Sequence, residues 1–371
     1  MSERVLITGG AGFIGSHLAR GLLAEGSEVR VLDDLNPQVH PAGERPACLD
    51  PGAELIVDDV RDRDAVRRAL ADIDVVVHLA ARVGVGQSMY EMAEYTSVNG
   101  VGTATVLEAI AEHPVRKLLV ASSMSIYGEG LYRGSEGKIV ERAGRGRERL
   151  QAGMWEPEGP DGRPLQPIST PEYKQPALTS VYALGKYEQE RMCLLAGAAY
   201  DIPTVALRFF NVYGTDQALS NPYTGVLAIF ASRMLNERPP LIFEDGEQRR
   251  DFVSVQDVAR ACALAIERPG ADGRAINVGS GMSVSVREVA QRLAAVLDRQ
   301  DIELDVTGRF RVGDVRHCFA DISLAAEAIG YAPEVALDDG LADLAQWLEG
   351  QTPDDRVDSA AAELAARGLT L

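Results

Sequence analysis

Short apolar runs alternate with amphipathic stretches along the first half of the chain. Runs rich in Val, Leu and Ile predict strands that are buried on both faces, whereas apolar residues spaced three and four apart predict helices. The predicted strands begin near Val5 and then cover residues 28–32, 54–57, 75–79 and 117–121, and the predicted helices begin at Ser16 and Asp62 and cover residues 89–111.

The second half continues this alternation without an internal repeat. Helices are predicted over residues 181–200 and 286–297, and strands over 204–207 and 275–278. Strands that alternate with helices form a parallel sheet with helices on both faces. The pattern therefore predicts an α/β fold built on a doubly wound parallel sheet.

Three glycines lie between the first strand and the first helix. Gly9 permits a tight turn, Gly12 lets a pyrophosphate approach the backbone, and Gly15 lets the helix pack closely on the strand. The N-terminal amides and the dipole of that helix face the same anion. The loop predicts a bound dinucleotide.

The second predicted strand ends in two carboxylates, Asp33 and Asp34. An acid at this place accepts hydrogen bonds from the ribose of a dinucleotide. Leu35 and Asn36 follow without an adjacent arginine, so a 2′-phosphate would be repelled. NAD is therefore favoured over NADP.

A second group of polar residues carries the predicted chemistry. Ser122 and Ser123 end the fifth strand, and Tyr182 precedes Lys186 by four residues on a predicted helix, which places both on one helix face. An ammonium about 4 Å from a phenol contributes about 4 kcal/mol at an effective dielectric near 20, or roughly three pK units before screening. We expect Tyr182 to act as a base near neutral pH, with Ser123 relaying a hydrogen bond.

Composition narrows the class of protein. The 371 residues suffice for two lobes, and the net charge of −18 argues against nucleic acid or an anionic membrane as a partner. No apolar run is long enough to cross a bilayer, and the N-terminus carries no export signal. The four cysteines are far apart, which indicates free thiols and a cytoplasmic protein.

With these motifs in place, residues 3 to about 348 resemble the extended short-chain dehydrogenase/reductase family, and within it the nucleotide-sugar epimerases and dehydratases. The matching segments beyond the glycine loop and the Tyr182–Lys186 pair are Asp59-Val60-Arg61-Asp62, His78-Leu79-Ala80-Ala81, Val98-Asn99-Gly100-Val101-Gly102-Thr103, Ser122-Ser123-Met124-Ser125-Ile126-Tyr127-Gly128 and Leu207-Arg208-Phe209-Phe210-Asn211-Val212-Tyr213-Gly214.

The resemblance implies a Rossmann-type sheet with a smaller α/β C-terminal substrate lobe, and an NAD site in which Asp59 and Val60 contact the adenine. Ala80 and Ala81 would line the pyrophosphate, and Asn99 would order the strand ends. The full set expected at the cofactor is Gly9, Gly12, Phe13, Ile14, Gly15, Asp33, Asp34, Asn36, Asp59, Val60, Leu79, Ala80, Ala81, Asn99, Ser122, Tyr182, Lys186 and Phe209.

A nucleotide sugar is the expected substrate. Arg250 and Arg311 can clamp a diphosphate through bidentate hydrogen bonds, and both match diphosphate-binding positions of the family. Residues 241–243 resemble the strand that holds the base, and Asn211 would hold the phosphate. The substrate set is Val83, Ser123, Ser125, Tyr182, Asn211, Asn221, Val226, Ile242, Phe243, Arg250, Arg311 and Asp314.

The residues after Ser123 bear on the reaction. The dehydratases that the chain resembles carry an Asp-Glu pair there, whereas this chain has Met124-Ser125, neither of which is an acid or base at neutral pH. Epimerisation at C4 through a transient 4-keto sugar is therefore the expected reaction, catalysed by Ser123, Tyr182 and Lys186. A 4-ketoreductase or dehydratase, a UDP-glucuronate or UDP-N-acetylhexosamine 4-epimerase, and a non-enzymatic NAD-binding regulator stay open as alternatives.

The expected domains are a cofactor domain over residues 1–211, completed by 252–280, a nucleotide-sugar lobe over 212–348, and a weakly packed or frayed tail over 349–371. An insertion at about 130–178 is hypothesised to be a lid over the sugar pocket, and it lacks the cysteines of a zinc knuckle. The insertion and residues 220–225 resemble those of dTDP-L-rhamnose 4-epimerases. No metal is expected; His17, His78 and His317 are interpreted as structural, and a homodimer through residues 90–111 and 181–200 is expected.

Overall fold

The computed structural model describes residues 2–223, 225–311, 313–351 and 355–370. The strands are β1 Arg4–Thr8, β2 Glu28–Asp33, β3 Glu54–Val57, β4 Val75–His78, β5 Lys117–Ser123, β6 Leu131–Arg133, β7 Ile139–Val140, β8 Gln166–Ile168, β9 Thr204–Phe209, β10 Asn211–Tyr213, β11 Leu241–Ile242, β12 Arg249–Arg250, β13 Phe252–Ser254, β14 Arg274–Val278, β15 Val284–Ser285, β16 Asp305–Val306 and β17 His317–Cys318. The helices are α1 Phe13–Ala24, α2 Arg63–Leu70, α3 Val85–Ser88, α4 Met92–Thr96, α5 Gly102–Glu112, α6 Arg147–Gln151, α7 Val181–Tyr200, α8 Val226–Leu235, α9 Val255–Glu267, α10 Val286–Val296, α11 Ser323–Ile329, α12 Leu337–Leu348 and α13 Val357–Ala366.

Seven parallel strands form the central sheet in the order β14-β9-β5-β4-β1-β2-β3. Successive side chains of a strand point to opposite faces, and in β1 Val5 and Ile7 pack into one core while Leu6 packs into the other. Helices α1 and α9 cover the first face, and α2, α5 and α7 cover the second. The predicted doubly wound parallel sheet is confirmed.

A smaller lobe forms around a separate apolar core. Helices α8, α10 and α12 pack together there with residues of β10, β11 and β13. Its short strands pair as β10–β13, β11–β16 and β15–β12–β17. The smaller α/β lobe lies beside the carboxyl ends of the central strands, where ligands bind in folds of this kind.

The predicted helix over residues 89–111 is interrupted. Helix α4 begins at Met92, a π-helical turn covers Ser97–Val101, and α5 then runs to Glu112. Asn99 in this turn is fully buried, and its side chain accepts a hydrogen bond from the Arg82 amide at 2.7 Å and donates one to the Arg82 carbonyl at 3.1 Å. The extra residue in this turn directs the Asn99 side chain toward the backbone of residue 82. Such π turns occur frequently at functional sites.

The insertion folds into the three-stranded antiparallel sheet β7-β6-β8 with the short helix α6. Buried ion pairs hold it against the smaller lobe. Arg145 pairs with Glu129 at 3.1 Å and Glu244 at 2.5 Å, and Arg316 pairs with Glu156 at 2.6 Å and Glu244 at 3.0 Å. The ring of Trp155 packs edge-on against Phe310. The insertion is therefore seated on the lobe rather than projecting from it.

Of the two expectations for the tail, a weakly packed terminal helix or a frayed end, the structure shows the helix. Residues 357–366 form helix α13, and Leu364 on this helix is buried. All four cysteines are free thiols. Within the described residues, no helix combines the length and apolar character that a bilayer span requires.

Candidate active site

A cavity of about 670 Å³ lies between the central sheet and the smaller lobe. The glycine loop, the end of β5, the start of α7 and the arginine-bearing segments of the smaller lobe all line it. Every residue expected at the cofactor or the substrate lines this cavity except Asn99 and Ile242. Residues that are more than 300 positions apart in the sequence therefore share one site.

The glycine loop has the geometry of a phosphate cradle. Gly9 has a φ of +70°, and a Cβ there would lie 2.7 Å from the Ala80 amide nitrogen. A Cβ on Gly15 would lie 2.5 Å from Gly10 Cα, so α1 packs directly on the loop. At Gly12, the N-cap of α1, a Cβ would approach nothing closer than 3.3 Å. The backbone is thus open at Gly12 beside the helix N-terminus, which fits a dinucleotide pyrophosphate.

The two acidic residues at the end of β2, Asp33 and Asp34, have different environments. Asp33 is buried, and its carboxylate accepts hydrogen bonds from the Ala11 and Leu35 amides, both at 3.0 Å. Burial raises the pKa of Asp33, although these two hydrogen bonds act to lower it. Asp34 is exposed beside the same cavity. Asp33 therefore fixes the glycine loop, and Asp34 is the more accessible of the two carboxylates.

Ser123 and Tyr182 meet where β5 ends and α7 begins. Ser180 caps α7 by accepting a hydrogen bond from the Ala183 amide at 3.1 Å, which fixes Tyr182 in the first turn. Burial raises the pKa of the Tyr182 phenol, and a hydrogen bond with the Ser123 side chain lowers it. The net shift is upward because the phenol is removed from water.

The expected effect of Lys186 on the phenol pKa is not seen in the protein alone. The Lys186 ammonium donates a hydrogen bond to Gln189 Oε1 at 2.8 Å, and its charge is not among the groups that shift the pKa of Tyr182. Burial lowers the pKa of Lys186 itself to about 8. The four-residue spacing fixes the helix face, but the flexible side chain finds its partner one turn further along the helix.

Gln189 connects this lysine to a buried polar chain. Its Nε2 donates to the Ala80 carbonyl at 3.2 Å and to Thr103 Oγ1 at 2.9 Å. His78 lies between Thr8 and Thr103, with its ring nitrogens 2.7 and 2.9 Å from their hydroxyls. Burial, together with the charge of Lys186, lowers the pKa of His78 to about 3, so the ring is neutral.

The other two histidines also bond within the protein. His17 Nε2 is 3.1 Å from the Thr215 carbonyl oxygen, and His317 lies 2.9 Å from Glu156 and accepts from the Arg249 amide. Burial lowers the pKa of both rings. These contacts are those expected of structural histidines.

Ser122 lines the cavity next to Ser123, and its side chain bonds within the protein. Its hydroxyl donates to Glu190 Oε2 at 2.6 Å, and Arg208 forms a bidentate pair with the same carboxylate at 2.7 and 2.9 Å. The three side chains are buried. This network ties the end of β5 to α7 and β9.

At the far end of the cavity, two guanidinium groups share one carboxylate. Arg311 Nη2 is 2.9 Å from Asp314 Oδ2, and Arg250 Nη2 is 3.3 Å from Asp314 Oδ1. Burial acts to raise the pKa of Asp314, but the two guanidinium charges lower it to about 2. Arg311 also lies over the Phe243 ring, 4.5 Å from its centroid. Two fixed positive charges beside an aromatic ring form a site suited to a nucleoside diphosphate.

Two expected site residues lie outside the cavity. Ile242 is fully buried in the smaller lobe, whereas its neighbours Leu241 and Phe243 line the cavity. This is the alternation of a strand, which places every second side chain on the other face. The Asn99 side chain forms its hydrogen bonds with the Arg82 backbone and does not reach the cavity.

Two polar atoms at the cavity have no partner among the described residues. Ser125 Oγ and Asn211 Oδ1 are both buried without a hydrogen bond, although both residues line the cavity. A buried polar atom costs free energy unless it is bonded. A bound ligand with hydroxyl or phosphate groups would satisfy them.

Other cavity residues were not predicted from the sequence. Gln38, His40, Arg82 and Gln217 carry polar groups into the wall, and none of the four belongs to a motif that reports its position. Five residues of the C-terminal tail also line the cavity: Val357, Ala360, Ala361, Leu364 and Leu369. The helical spacing of the first four was a usable signal for an amphipathic helix.

The hypothesis of a lid formed by the insertion is wrong in this structure. All of residues 126–178 are described, and none of them lines the cavity. Arg145 instead donates to the Asp314 carbonyl at 3.0 Å, from behind the arginine pair. The insertion therefore supports the part of the wall that carries Arg250 and Arg311, because its charged side chains bond to that wall from outside. No cluster of three or more His, Cys, Asp or Glu side chains that could hold a metal ion occurs in the described parts of the chain.

Comparison with known proteins identifies relatives of this arrangement. Residues 5–279 match the model of the NAD dependent epimerase/dehydratase family. The chain is 38% identical over 351 residues to a dTDP-L-rhamnose 4-epimerase of Burkholderia thailandensis, covering 93% of this chain and 95% of the relative. It is 30% identical over 355 residues to a putative UDP-glucose 4-epimerase of Methanocaldococcus jannaschii, covering 93% and 98%.

Solved structures show the same fold. A UDP-glucose 4-epimerase of Thermotoga maritima, crystallised with UDP-glucose, superposes with a TM-score of 0.77 at 29% identity, covering 93% of this chain and 98% of that one. A Thermus thermophilus UDP-glucose 4-epimerase in complex with NAD gives a TM-score of 0.74 at 31% identity, covering 94% and 100%. Both neighbours span almost the whole of the chain.

Proposed function

The chain belongs to the NAD dependent epimerase/dehydratase family, and we propose that it inverts C4 of a nucleotide-diphosphate sugar through a transient 4-keto sugar, with NAD as its cofactor. It is an isomerase in this proposal. The relative from Burkholderia thailandensis and the UDP-glucose 4-epimerase structures support this reaction.

The observation that carries the proposal is the combination of groups in one cavity. The glycine loop, the Ser123–Tyr182 pair and the Arg250–Arg311 pair all open into it. Among the described residues that line it, the carboxylates are Asp33, Asp34, Asp59 and Asp314, and the short helix Met124–Tyr127 after Ser123 carries none. The wall thus provides a single proton relay without the additional acid and base that an elimination requires.

The cofactor end is assigned from the geometry of the loop. Gly9, Gly12 and Gly15 with the first turn of α1 would hold the pyrophosphate, and Asp34 and Asp59 line the adenosine side. Bound NAD supplies the hydride acceptor and donor that oxidation and re-reduction at C4 require. Ala80, Ala81 and Phe209 complete the wall near the catalytic pair.

Tyr182 acts as the base on the C4 hydroxyl. Its phenol is buried beside Ser123, which can pass a hydrogen bond between the sugar hydroxyl and the phenolic oxygen. Lys186 lies in the same wall, and its ammonium would stabilise a phenolate after turning from Gln189 toward Tyr182. Tyr182 returns the proton when the 4-keto sugar is reduced on its other face.

The arginine pair holds the part of the substrate that does not react. Arg250 and Arg311 bind the diphosphate, and Phe243 lies at the base side of the site. Fixing the diphosphate lets the sugar turn about its link to the phosphate while the nucleotide stays bound. We propose a UDP- or dTDP-linked hexose or deoxyhexose as substrate, since the relatives act on both nucleotide classes.

The domain boundaries and the oligomeric state are part of the same proposal. Residues 1–211 with 252–280 form the cofactor domain and residues 212–348 the nucleotide-sugar lobe, in a cytoplasmic homodimer. Exposed apolar side chains on adjacent helices support the dimer: Met92, Val101, Leu184 and Leu195. The variant Leu184→Glu/Leu195→Glu should sediment as a monomer, and a dimer of unchanged mass would refute this face.

The reaction is tested with a panel of UDP-, dTDP- and GDP-sugars, with the C4 configuration read by NMR. We expect one class of sugar to equilibrate between C4 epimers with no net change in nicotinamide absorbance. Tyr182→Phe should lose roughly 10²–10⁴-fold in kcat while retaining NAD, whereas Tyr187→Phe on the same helix should stay active. Stoichiometric reduction of NAD, or loss of water from the sugar, would contradict the proposal.

A further inference from the structure

The C-terminal tail forms one wall of the cavity. We call residues 355–370 the C-terminal strap. Val357, Ala360, Ala361 and Leu364 of α13 follow at helical spacing, so they share one face, and all four line the cavity together with Leu369. The opposite face is exposed and includes Ser359, Ala362 and Glu363. The helix thus turns its apolar side toward the cavity and extends the apolar part of its wall.

The C-terminal strap spans the cleft from one lobe to the other. On the cofactor side, Leu364 packs on Gly86, where an added Cβ would lie 3.2 Å from its methyl groups. Arg367 lies over the Tyr90 ring, 4.4 Å from its centroid. On the substrate side, the backbone of Thr370 pairs with that of Arg311 in an antiparallel bridge. The strap therefore contacts both walls of the opening, including the segment that holds the diphosphate clamp.

Ion pairs anchor the first turn of the strap to the smaller lobe. Arg233 Nη1 is 2.6 Å from Asp358 Oδ1 and 3.6 Å from Asp355 Oδ2. Arg238 Nη1 is 3.2 Å from Asp355 and 3.1 Å from Asp358. Asp358 and Arg238 are about half exposed, and exposed ion pairs are individually weak. The pairs that involve Asp358 or Arg238 can therefore open at little cost, whereas the buried Arg233 and Asp355 side chains keep the start of the strap on the smaller lobe.

A second contact narrows the opening beneath the strap. The hydroxyl oxygens of Tyr90 and Tyr223 are 2.6 Å apart, which joins the cofactor lobe to the loop that follows Asn221. Tyr90 is also the ring beneath Arg367. The strap and this tyrosine pair together cover the same side of the cavity.

We propose that the C-terminal strap is a retractable wall of the substrate site, closed while a nucleotide sugar is held and lifted for its exchange. This inference rests on the proposed function. The apolar face excludes water from the keto sugar, and it offers no directional hydrogen bonds. A sugar ring beside it is not held in one orientation, so the ring can present either face while Arg250 and Arg311 keep the diphosphate.

The experiment measures release of a nucleoside diphosphate, which needs no turnover. UDP and dTDP are bound to the NAD-loaded enzyme, and their dissociation rates are measured by stopped-flow displacement. Asp355→Asn/Asp358→Asn loosens the anchor, a chain ending at Gly350 removes the strap, and Gly86→Val pushes on Leu364 from the other lobe. Glu327→Gln, on the exposed surface of α11, is the control for a change of charge.

We expect release to become about tenfold faster or more in all three strap variants and to stay within about twofold of wild type in the control. Hydrogen exchange over residues 355–370 should slow when UDP or dTDP binds. A change below about twofold in the anchor and truncated variants, with thermal melts near wild type, would overturn the inference. Hydrogen exchange over residues 355–370 that stays the same when UDP or dTDP binds would also overturn the inference.

The two proposals fail in different ways. Wild-type enzyme that binds neither nucleotide would overturn the proposed function together with the strap. If the wild-type enzyme epimerises a nucleotide sugar but the strap variants release UDP and dTDP at the wild-type rate, only the inference about the strap is overturned. If Gly86→Val fails to fold, the anchor variant still decides the outcome, because both substitutions keep the size of the side chain and its thermal melt is measured alongside the release rate.

Discussion

Arg316 provides the sharpest test of how the insertion acts. Its side chain is 1% exposed, and it bonds three carboxylates: Glu156 at 2.6 Å, Asp245 at 2.6 Å and Glu244 at 3.0 Å. The substitution Arg316→Met keeps the apolar stem of the side chain and removes the charge. Glu244, itself buried, then keeps Arg145 as its remaining ion-pair partner among the described residues.

The expected cost follows from burial. Removing one partner of a buried ion pair destabilises a protein by about 3–5 kcal/mol, because the other charge stays desolvated. The lower figure applies to Arg316→Met, because Glu156 and Asp245 are more than one third exposed and Glu244 keeps Arg145. For a chain of 371 residues, an unfolding entropy of about 2.1 cal/mol/K per residue converts about 3 kcal/mol to a fall in Tm of roughly 4 °C. The deficit should shrink at acid pH, because unpaired buried carboxylates take up protons more readily than paired ones.

Thermal melts at pH 8 and pH 5 measure both effects. Arg163→Met, on the same insertion but with a side chain 75% exposed, is the matched control and should melt within about 1 °C of wild type. Because the network adjoins the Asp314 segment through Arg145, Arg316→Met should also raise KM for the nucleotide sugar more than it lowers kcat. A melt equal to that of the control, or a deficit that does not shrink at pH 5, would refute this account of the insertion.

Three further predictions test the site and its supports. Gly15→Ala should lose most NAD binding in a cofactor titration, because its Cβ would lie 2.5 Å from Gly10 Cα; binding equal to wild type would show that the loop is less tightly packed. Ser123→Ala removes the hydrogen bond that lowers the pKa of Tyr182, so the acidic limb of the kcat/KM profile should move to higher pH, and an unmoved limb would mean that Tyr182 is not the base. The pKa of His78 falls from 6.5 to about 3 on folding, so the unfolded chain binds the proton first and stability is lost as pH falls below 6.5. The loss at pH 5 is roughly 2 kcal/mol, and urea denaturation should show a flatter pH dependence for His78→Gln than for wild type.

Much of the fold could be predicted from local sequence patterns. The strands predicted over 28–32, 117–121 and 204–207 are confirmed within two residues of their observed ends. This succeeds because a strand buried on both faces requires a continuous apolar run whatever its neighbours are. The glycine loop was predictable for a similar reason, since the positive φ at Gly9 and the close approach at Gly15 tolerate no Cβ.

Side-chain partners were harder to predict. Spacing placed Tyr182 and Lys186 on one helix face, but the long lysine side chain bonds to Gln189 and the buried phenol has a raised pKa. Ile242 was assigned to the site together with Phe243, and the strand turns its side chain into the core. In both cases the backbone position was right, and the direction of the side chain depended on packing.

The sequence by itself determined the parallel sheet, the phosphate cradle and the positions of Ser123 and Tyr182. Each of these features depends on a pattern of residues that are close together in the chain. Only the tertiary structure decided that the insertion supports the arginine-bearing part of the cavity wall and that the tail covers the cavity. Those two assignments depend on ion pairs and apolar contacts between segments more than 100 residues apart, such as Arg316 with Glu156 and Arg233 with Asp358. Local periodicity identifies a charged or apolar face, but the partner of that face is set by how the distant segments pack.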